Sequence, residues 1–478
     1  MVFSSVEFLF LFLPITIVLY FLSPKGGKNF VLLLASILFY LWGSGELVLV
    51  LLISITVNYI LGLYVDSAVQ RGDERKKNTY VVVAIVFNIC VLAYYKYANF
   101  FISELSPVFD LVGLESSHWK QIILPIGISF FTFQSISYII DISRKESRAL
   151  HNPIDFGMYI AMFPQLIAGP IVRYNIVAKS IAIKNRQTTL DNFTEGTLRL
   201  YWGLTKKVLI ADPCGEIADQ VFALGGGDLT SPTAWLGALC YTLQIYFDFS
   251  GYSDMAIGLG KIFGFNFPEN FNRPYSATSI TDFWRRWHIT LSNWFRDYVY
   301  IPLGGGRKPP FRTTVNLFTV FVLTGIWHGA NWTFILWGVF HGVLLFVERV
   351  TGYRNIKENQ WVVLRRVLLV FTVMVSWIMF RVETVTDAMT FYKTMFIFDS
   401  LSIEPSILAA LSNWNIFIII LASIVFFLPR NYSGTDIFIR STKMVGSTSK
   451  FLLIAFLLPL SLIMIVSGSF NAFLYFQF

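Results

Sequence analysis

GIWHGANWTFILWGVFHG, residues 325–342, is strongly apolar yet carries two of the chain's five histidines. His328 sits between Trp327 and Gly329, and His341 between Phe340 and Gly342. An ionisable ring is costly at membrane depth, and there it marks function by default. Whether this stretch belongs to a membrane decides the fold.

Composition settles that first point. The chain has 478 residues, 55% of them hydrophobic and only 14% charged, whereas soluble domains carry about 25% charged residues. Its mean hydropathy is +0.61. A soluble protein this apolar would have nowhere to place its side chains, so the chain reads as a polytopic membrane protein. The 47 Phe and 13 Trp suit lipid-facing helices and interfacial aromatic belts. Cys90, Cys214 and Cys240 have no metal-ligand spacing and suggest no disulfide framework; no metal is expected. The net charge of +8 fits Lys and Arg gathered in cytoplasmic loops. Nucleic-acid binding needs a clustered basic face, which is missing. The opening MVFSSVEFLFLFLPITIVLYFLSP lacks a basic n-region and a small-residue cleavage site, so it reads as a retained first span.

A crossing needs roughly 20 apolar residues. The runs near 5–22, 29–43, 46–65, 79–97, 121–141, 153–171, 193–211, 230–250, 313–328, 331–348, 361–380, 411–429 and 451–469 qualify, some as re-entrant or interfacial segments. No internal repeat, low-complexity segment or soluble domain stands out. Lys25, Lys28 and the loop RGDERKK (71–77) flank the second and third runs, which puts both loops in the cytoplasm and the N-terminus outside. SRKESR (143–148), RNIKENQ (354–360) and the segment 430–450 fall inside by the same rule. The base-poor stretches 98–119 and 382–410, with Glu104, Asp110, Glu115, Glu383, Asp387, Asp399 and Glu404, fall outside. Bases flank both runs of 153–211, so its orientation stays open.

Residues 246–312 are too polar to be two simple spans. From Ser279 onward, Phe283, Trp284, Trp287, Leu291, Trp294, Phe295 and Tyr298 recur every three or four residues. That spacing predicts one amphipathic helix, with Asp282, Arg285, Arg286, Asn293, Arg296 and Asp297 on its other face and Ser279 with Asp282 as a weak capping box. Trp and Arg together suit the membrane–water boundary, and His288 borders the two faces. Gly304-Gly305-Gly306-Arg307-Lys308 is no phosphate loop, because Pro309 and Pro310 follow where GxxxxGK[ST] requires a helix; it reads as a cytoplasmic turn. With a helix starting near Arg312, His328 lies roughly 24 Å along its axis, past the membrane's middle. A neutral ring satisfied by a helix carbonyl is the alternative there, and for His341 the structural reading leads. His118 and His151 fall in loops and receive no role.

The chain resembles the membrane-bound O-acyltransferase (MBOAT) superfamily, and within it the alginate O-acetyltransferase AlgI-like branch. FPQLIAGPIVRY (163–174), YFDFSGYSDMAIGLGKIFGFNFPENFNRPY (246–275), ITDFWRRWHITLSNWFRDYVYIPLGGGRK (280–308) and LTGIWHGANWTFILWGVFHG (323–342) carry the resemblance, with VFSSVEFLFLFLPI (2–15) in support. It implies an all-α polytopic fold around a central funnel or tunnel, with about 11–13 membrane helices plus interfacial and re-entrant ones. One integral-membrane domain would cover 1–478: N-terminal spans over 1–150, a catalytic core over 151–350 holding the cassette 246–342, and C-terminal spans over 351–478.

The resemblance also implies chemistry. The family's catalytic histidine corresponds to His328, in WHG, and a second motif histidine to His288, in RRWH. Members move an acyl group from a thioester to a hydroxyl. His328 would be the general base, with an unperturbed pKa of about 6.5 suited to that role. His288 would orient the donor or stabilise the oxyanion. Arg273, Arg285, Arg286, Arg307 and Lys308 could attract the phosphates of coenzyme A, although snorkelling explains such bases equally well. Asp248, Ser250 and Asp254 read as polar packing first and tunnel lining second; Trp327 and Asn331 would join that lining.

No tightly bound cofactor is implied; acetyl-CoA or another acyl thioester is the donor substrate. The implied partners are an extracytoplasmic acyltransferase, the polysaccharide synthesis machinery and the lipid bilayer, at a bacterial inner membrane. The expected function is acetyl transfer across that membrane for an exported, alginate-like polysaccharide. The branch is also similar to the D-alanyl transfer protein DltB, whose donor is a carrier protein, and a second enzyme reading keeps the fold and changes the acceptor to peptidoglycan, teichoic acid or lipid hydroxyls. A transporter or flippase explains the spans but not the cassette.

Overall fold

The computed structural model describes residues 2–111, 119–225, 227–353, 356, 360–398, 400–429, 435, 439, 444–468, 473 and 474. Glu115, His118, Asp399, the Asp110 side chain and most of the basic stretches 354–360 and 430–450 lie outside them. Every regular element among the described residues is helical. Helices suit a bilayer, because they satisfy within one segment the backbone N–H and C=O groups to which its core offers no water.

Two compact units make up the chain. The first comprises 1–196 and 259–268, the second 197–258 and 269–478. By length and composition five stretches suit a crossing: Lys25–Arg71, Glu74–Phe109, Trp332–Val350, Val362–Arg381 and Gly446–Ser467. Phe8–Leu22 and Asn413–Phe426 are shorter apolar helices.

The first unit holds α1 (Leu13–Leu22), α2 (Lys28–Ser44), α3 (Val48–Arg71), α4 (Glu74–Leu111), α5 (Ile128–Ser143), α6 (Pro153–Ala161), α7 (Phe163–Leu166) and α8 (Tyr174–Ile181). Helices α3, α4 and α5 pack on one another. Asn58 and Asn88 exchange amide hydrogen bonds of 3.2 and 2.7 Å across α3 and α4, a polar clasp of the kind that joins helices in lipid. Two expectations are corrected here. The run 121–141 becomes helical only at Ile128, after Gly127 takes a left-handed φ of 76°. The run 153–171 is two short helices followed by irregular chain. Nine residues of α6 rise only about 14 Å, so this run is apolar because it is buried in protein.

Helix α9 (Leu190–Thr205) leads through a π-helical stretch, Lys206–Ala211, into α10 (Asp212–Phe222). Helix α11 (Ser231–Ile262) extends the expected 230–250 run deep into the polar cassette. These helices carry Arg199, Lys206, Lys207, Asp248 and Asp254, all buried, which explains why they read as less apolar than lipid-facing spans. A Cβ on Gly251 would lie 2.8 Å from the Gly203 carbonyl oxygen; the two glycines let α9 and α11 touch backbone to backbone.

The predicted amphipathic helix is broken in two, α12 (Ile280–Trp284) and α13 (Ile289–Phe295). His288, between them, adopts φ 42° and ψ 55°, a left-handed conformation costing about 1–2 kcal/mol in a residue with a Cβ. The segment 270–272 docks across the break. Asn272 N–H donates to the Arg286 carbonyl and Ile289 N–H to the Asn270 carbonyl, both at 2.9 Å, replacing bonds that a continuous helix would have made itself. The expected cap is present, with Ser279 Oγ accepting from Asp282 N–H at 3.1 Å.

The remaining helices are α14 (Pro310–His328), α15 (Trp332–Val350), α16 (Val362–Arg381), α17 (Val385–Phe396), α18 (Pro405–Ala410), α19 (Asn413–Ser423), α20 (Met444–Leu452) and α21 (Leu458–Ser467). Helices α14 and α15 form a tight hairpin, and α15 also packs on α12 and α16. The core joining them is aromatic, with Trp284, Trp287, Trp337 and Trp377 buried together.

Candidate active site

His328 is the last residue of α14, about 27 Å above Pro310 by helical rise. It is 4% exposed. The rings of Trp327, Trp337 and Phe380 surround it at 4.9, 5.2 and 4.9 Å. Its position depends on two glycines: a Cβ on Gly325 would run into the Phe334 carbonyl, and one on Gly338 into the Phe321 carbonyl. Small residues at such crossings let membrane helices approach closely.

His288 reaches the same neighbourhood from the helix break. Its ring packs at 4.7 Å against Phe249 and 6.2 Å against Trp327. The Trp327 indole thus borders both imidazoles. His288 Nδ1 lies 3.1 Å from Asn270 Oδ1. The break belongs to none of the five apolar crossings, and burial there pushes the imidazole's pKa down to about 3, so the ring is neutral.

His341 is satisfied on both sides. Trp284 Nε1–H donates to its Nδ1 at 3.4 Å, and its Nε2 lies 3.2 Å from Ser376 Oγ. An indole N–H only donates, so Nε2 carries the proton and passes a hydrogen bond to Ser376, which donates onward to the Val373 carbonyl at 2.7 Å. This ring holds α12, α15 and α16 together.

A cavity of about 380 Å³ opens beside His288. Lys206, Ser250, Asp254, Asn270 and Arg273 line it, with Trp202, Tyr246 and Phe271 as aromatic walls. Neither histidine lines it directly; Asn270 joins it to His288. Asp254 accepts from Arg199 Nε at 3.0 Å and pairs with Lys206 at 2.6 Å. Arg199 also grips Glu269. Next along the chain, Lys207 pairs with both Asp248 and Asp212 at 2.7 Å, and Asp248 accepts from Leu474 N–H. The π-helical stretch places Lys206 and Lys207 toward two acids of α11, and such stretches recur at functional sites.

Of the predicted residues, the structure brings Ser250, Asp254 and Arg273 to the cavity and His288, Trp327 and His328 to one aromatic cluster. Asp248 sits in the ion pair behind. Arg286 pairs with Asp282 at 2.8 Å, while Arg285, Arg307 and Lys308 are exposed and line no part of this cavity. Asn331 caps α15, accepting from Thr333 N–H at 3.1 Å and donating to the Glu383 carbonyl. Sequence reading missed Arg199, Lys206, Lys207, Glu269 and Asn270. A signal existed for the lysines: two adjacent bases inside an apolar run require buried acids as partners. No group of His, Cys, Asp and Glu among the described residues could hold a metal ion.

An all-helical membrane chain with two buried imidazoles against one indole, beside a polar and aromatic cavity, has the parts of a membrane enzyme. The chain belongs to the membrane-bound O-acyltransferase family, whose model matches residues 76–387, and is accordingly an O-acyltransferase. It is 44% identical over 453 residues to the probable alginate O-acetylase AlgI of Pseudomonas aeruginosa, covering 94% of this chain and 86% of that one. It is 46% identical to the protein of the same name from Azotobacter vinelandii, covering 89% and 84%. The peptidoglycan O-acetyltransferase of Helicobacter pylori is 35% identical, covering 83% and 80%.

Proposed function

We propose that the chain takes an acetyl group from a cytoplasmic acyl thioester and passes it across the membrane, where an exported alginate-like polysaccharide is O-acetylated. The observation that carries this reading is the pair His288 and His328 on the Trp327 indole, in a chain whose alginate O-acetylase relatives match nearly end to end. An acceptor hydroxyl oxygen attacks the thioester carbonyl while neutral His328 takes its proton. The tetrahedral adduct collapses, the C–S bond breaks, and the imidazolium returns the proton to the leaving thiolate. The aromatic walls around His328 exclude water, which would otherwise hydrolyse the thioester.

The donor is acetyl-coenzyme A or an acetylated carrier protein, with Arg273 at the cavity to meet its phosphates. The site belongs to a bacterial inner membrane, with the N-terminus outside and Lys25, Lys28 and 71–77 in the cytoplasm. An extracytoplasmic acyltransferase working with the polymer synthesis machinery completes the transfer.

The test uses purified protein in nanodiscs with radiolabelled acetyl-coenzyme A or acetylated carrier protein, wild type beside His328→Ala. Thioester loss and label transfer in the wild type, absent from a variant that still inserts and folds, is the expected result. Normal turnover in His328→Ala would sink the catalytic role. The Helicobacter relative supports one other acceptor: label moving to purified peptidoglycan and not to alginate would replace the polysaccharide.

A further inference from the structure

Asn270 is 1% exposed and ties three segments together. Its Nδ2 donates to Ser253 Oγ on α11 at 3.0 Å. Its Oδ1 faces His288 Nδ1 at 3.1 Å, Thr290 Oγ1 at 2.8 Å and Thr290 N–H at 3.4 Å. A backbone N–H can only donate, so the amide atom facing Thr290 and His288 is oxygen and not nitrogen. An amide oxygen can only accept. The proton of neutral His288 therefore sits on Nδ1, and Nε2 holds the lone pair.

We infer that Asn270 is a positioning residue that fixes His288 as a hydrogen-bond acceptor toward a substrate hydroxyl or amide N–H, and not as a donor to the thioester oxyanion. This rests on the acyl-transfer reading above and decides between the two roles open to His288. An oxyanion needs an N–H aimed at it, and the one N–H of this neutral ring is spent on Asn270. A neutral amide is the right partner for that purpose. A carboxylate in its place would favour the imidazolium and raise the pH below which the lone pair is lost.

The charges around the ring leave that choice to Asn270. On α11, Asp248 is held by Lys207 and Asp254 by Arg199 and Lys206. In the preceding linker Glu269 is held by Arg199, and Arg273 lies near. Along the chain around the break stand Arg285, the pair Asp282–Arg286 and the pair Arg296–Asp297. On α14, His328 lies beyond Trp327. Each of these carboxylates has its own cation, so Asn270→Asp would set a new carboxylate against the ring.

The experiment measures acyl turnover against pH in nanodiscs for wild type, Asn270→Asp and Asn270→Ala, using whichever of acetyl-coenzyme A and acetylated carrier protein the wild type consumes faster. Asn270→Asp raises the pKa of His288, so the lone pair is lost at higher pH. The acid limb of turnover, set in the wild type by the general base alone, should become steeper as the His288 value climbs from about 3 by about 1–3 units toward the same range. A limb of unchanged slope, or activity that grows as pH falls, overturns the acceptor role, because a protonated ring would serve an oxyanion better. Asn270→Ala frees Nδ1 and should lower kcat about 10- to 100-fold with KM for the thioester within about threefold; an unchanged kcat also overturns the proposal. His328→Ala runs alongside. A wild type that consumes neither donor, or an active His328→Ala, counts against the acyl-transfer reading. An unchanged limb in an active protein counts against Asn270.

Discussion

Lys206 Nζ sits 2.6 Å from Asp254 Oδ2, with the two side chains 10% and 8% exposed. The partners are not equally dependent. Asp254 also holds Arg199, whereas Lys206 also donates to a hydroxyl, Ser250 Oγ at 3.2 Å. Breaking a buried pair from one side strands a charge and costs about 3–5 kcal/mol. Asp254→Asn strands Lys206 and weakens Arg199, so it should show that full loss. Lys206→Met leaves Asp254 paired and should cost about 1–2 kcal/mol. Thermal unfolding in detergent checks the order; Lys206→Met falling further than Asp254→Asn would contradict it.

His341 should behave as the opposite of His328. His341→Leu leaves the Trp284 N–H and the Ser376 hydroxyl without their shared partner, a loss of about 1–3 kcal/mol. The unfolding midpoint should drop while turnover at a permissive temperature stays within about threefold of wild type. A folded His341→Leu protein with no turnover would move this ring from packing into the chemistry.

The membrane class and the helical fold were legible because an apolar run is a local signature, and the burial of the histidines in RRWH and WHG because each is a polar residue out of place. The ends of α14, α15 and α16 fall within a few residues of the expected runs for the same reason. Other features depend on partners far along the chain. The helix break at His288 is made by bonds from 270–272, and the local pattern of Trp every three or four residues points the other way. Asn270 stands in a stretch, FPENFNRPY, whose meaning lies in contacts with Ser253 and Thr290. The run 153–171 is as apolar as a span, yet it is buried in protein; hydropathy cannot tell those two surroundings apart.

Glu348 reaches from α15 to the start of α12, where it accepts from the N–H groups of Ile280 and Thr281 and from the Thr281 hydroxyl. Its charge also complements the positive end of the helix. Glu348→Gln keeps the shape and removes the charge, with an expected cost of about 1–2 kcal/mol. Because α12 leads directly into RRWH, turnover should fall with stability, and Glu348→Asp, one methylene short, should restore little of either. Unaltered unfolding and turnover in Glu348→Gln would mean that Ser279 alone caps this helix.

Gly338 tests whether the distance between α14 and α15 sets the position of His328. An added Cβ meets the Phe321 carbonyl, which is backbone and cannot step aside. The hairpin must open, at a cost of about 1–3 kcal/mol, and His328, one turn from Gly325, moves with α14. A displacement near 1 Å at a reacting group can cost about 10²-fold in rate. Gly342, one turn further along α15, supplies the control: its Cβ would lie 2.9 Å from the Phe318 ring, a side chain that can rotate away. Gly338→Ala should therefore insert and fold with turnover down about 10- to 100-fold, while Gly342→Ala stays within a few-fold of wild type. Equal losses in both would place the effect in general loosening of the hairpin. No loss in either would release His328 from any dependence on how closely the two helices approach.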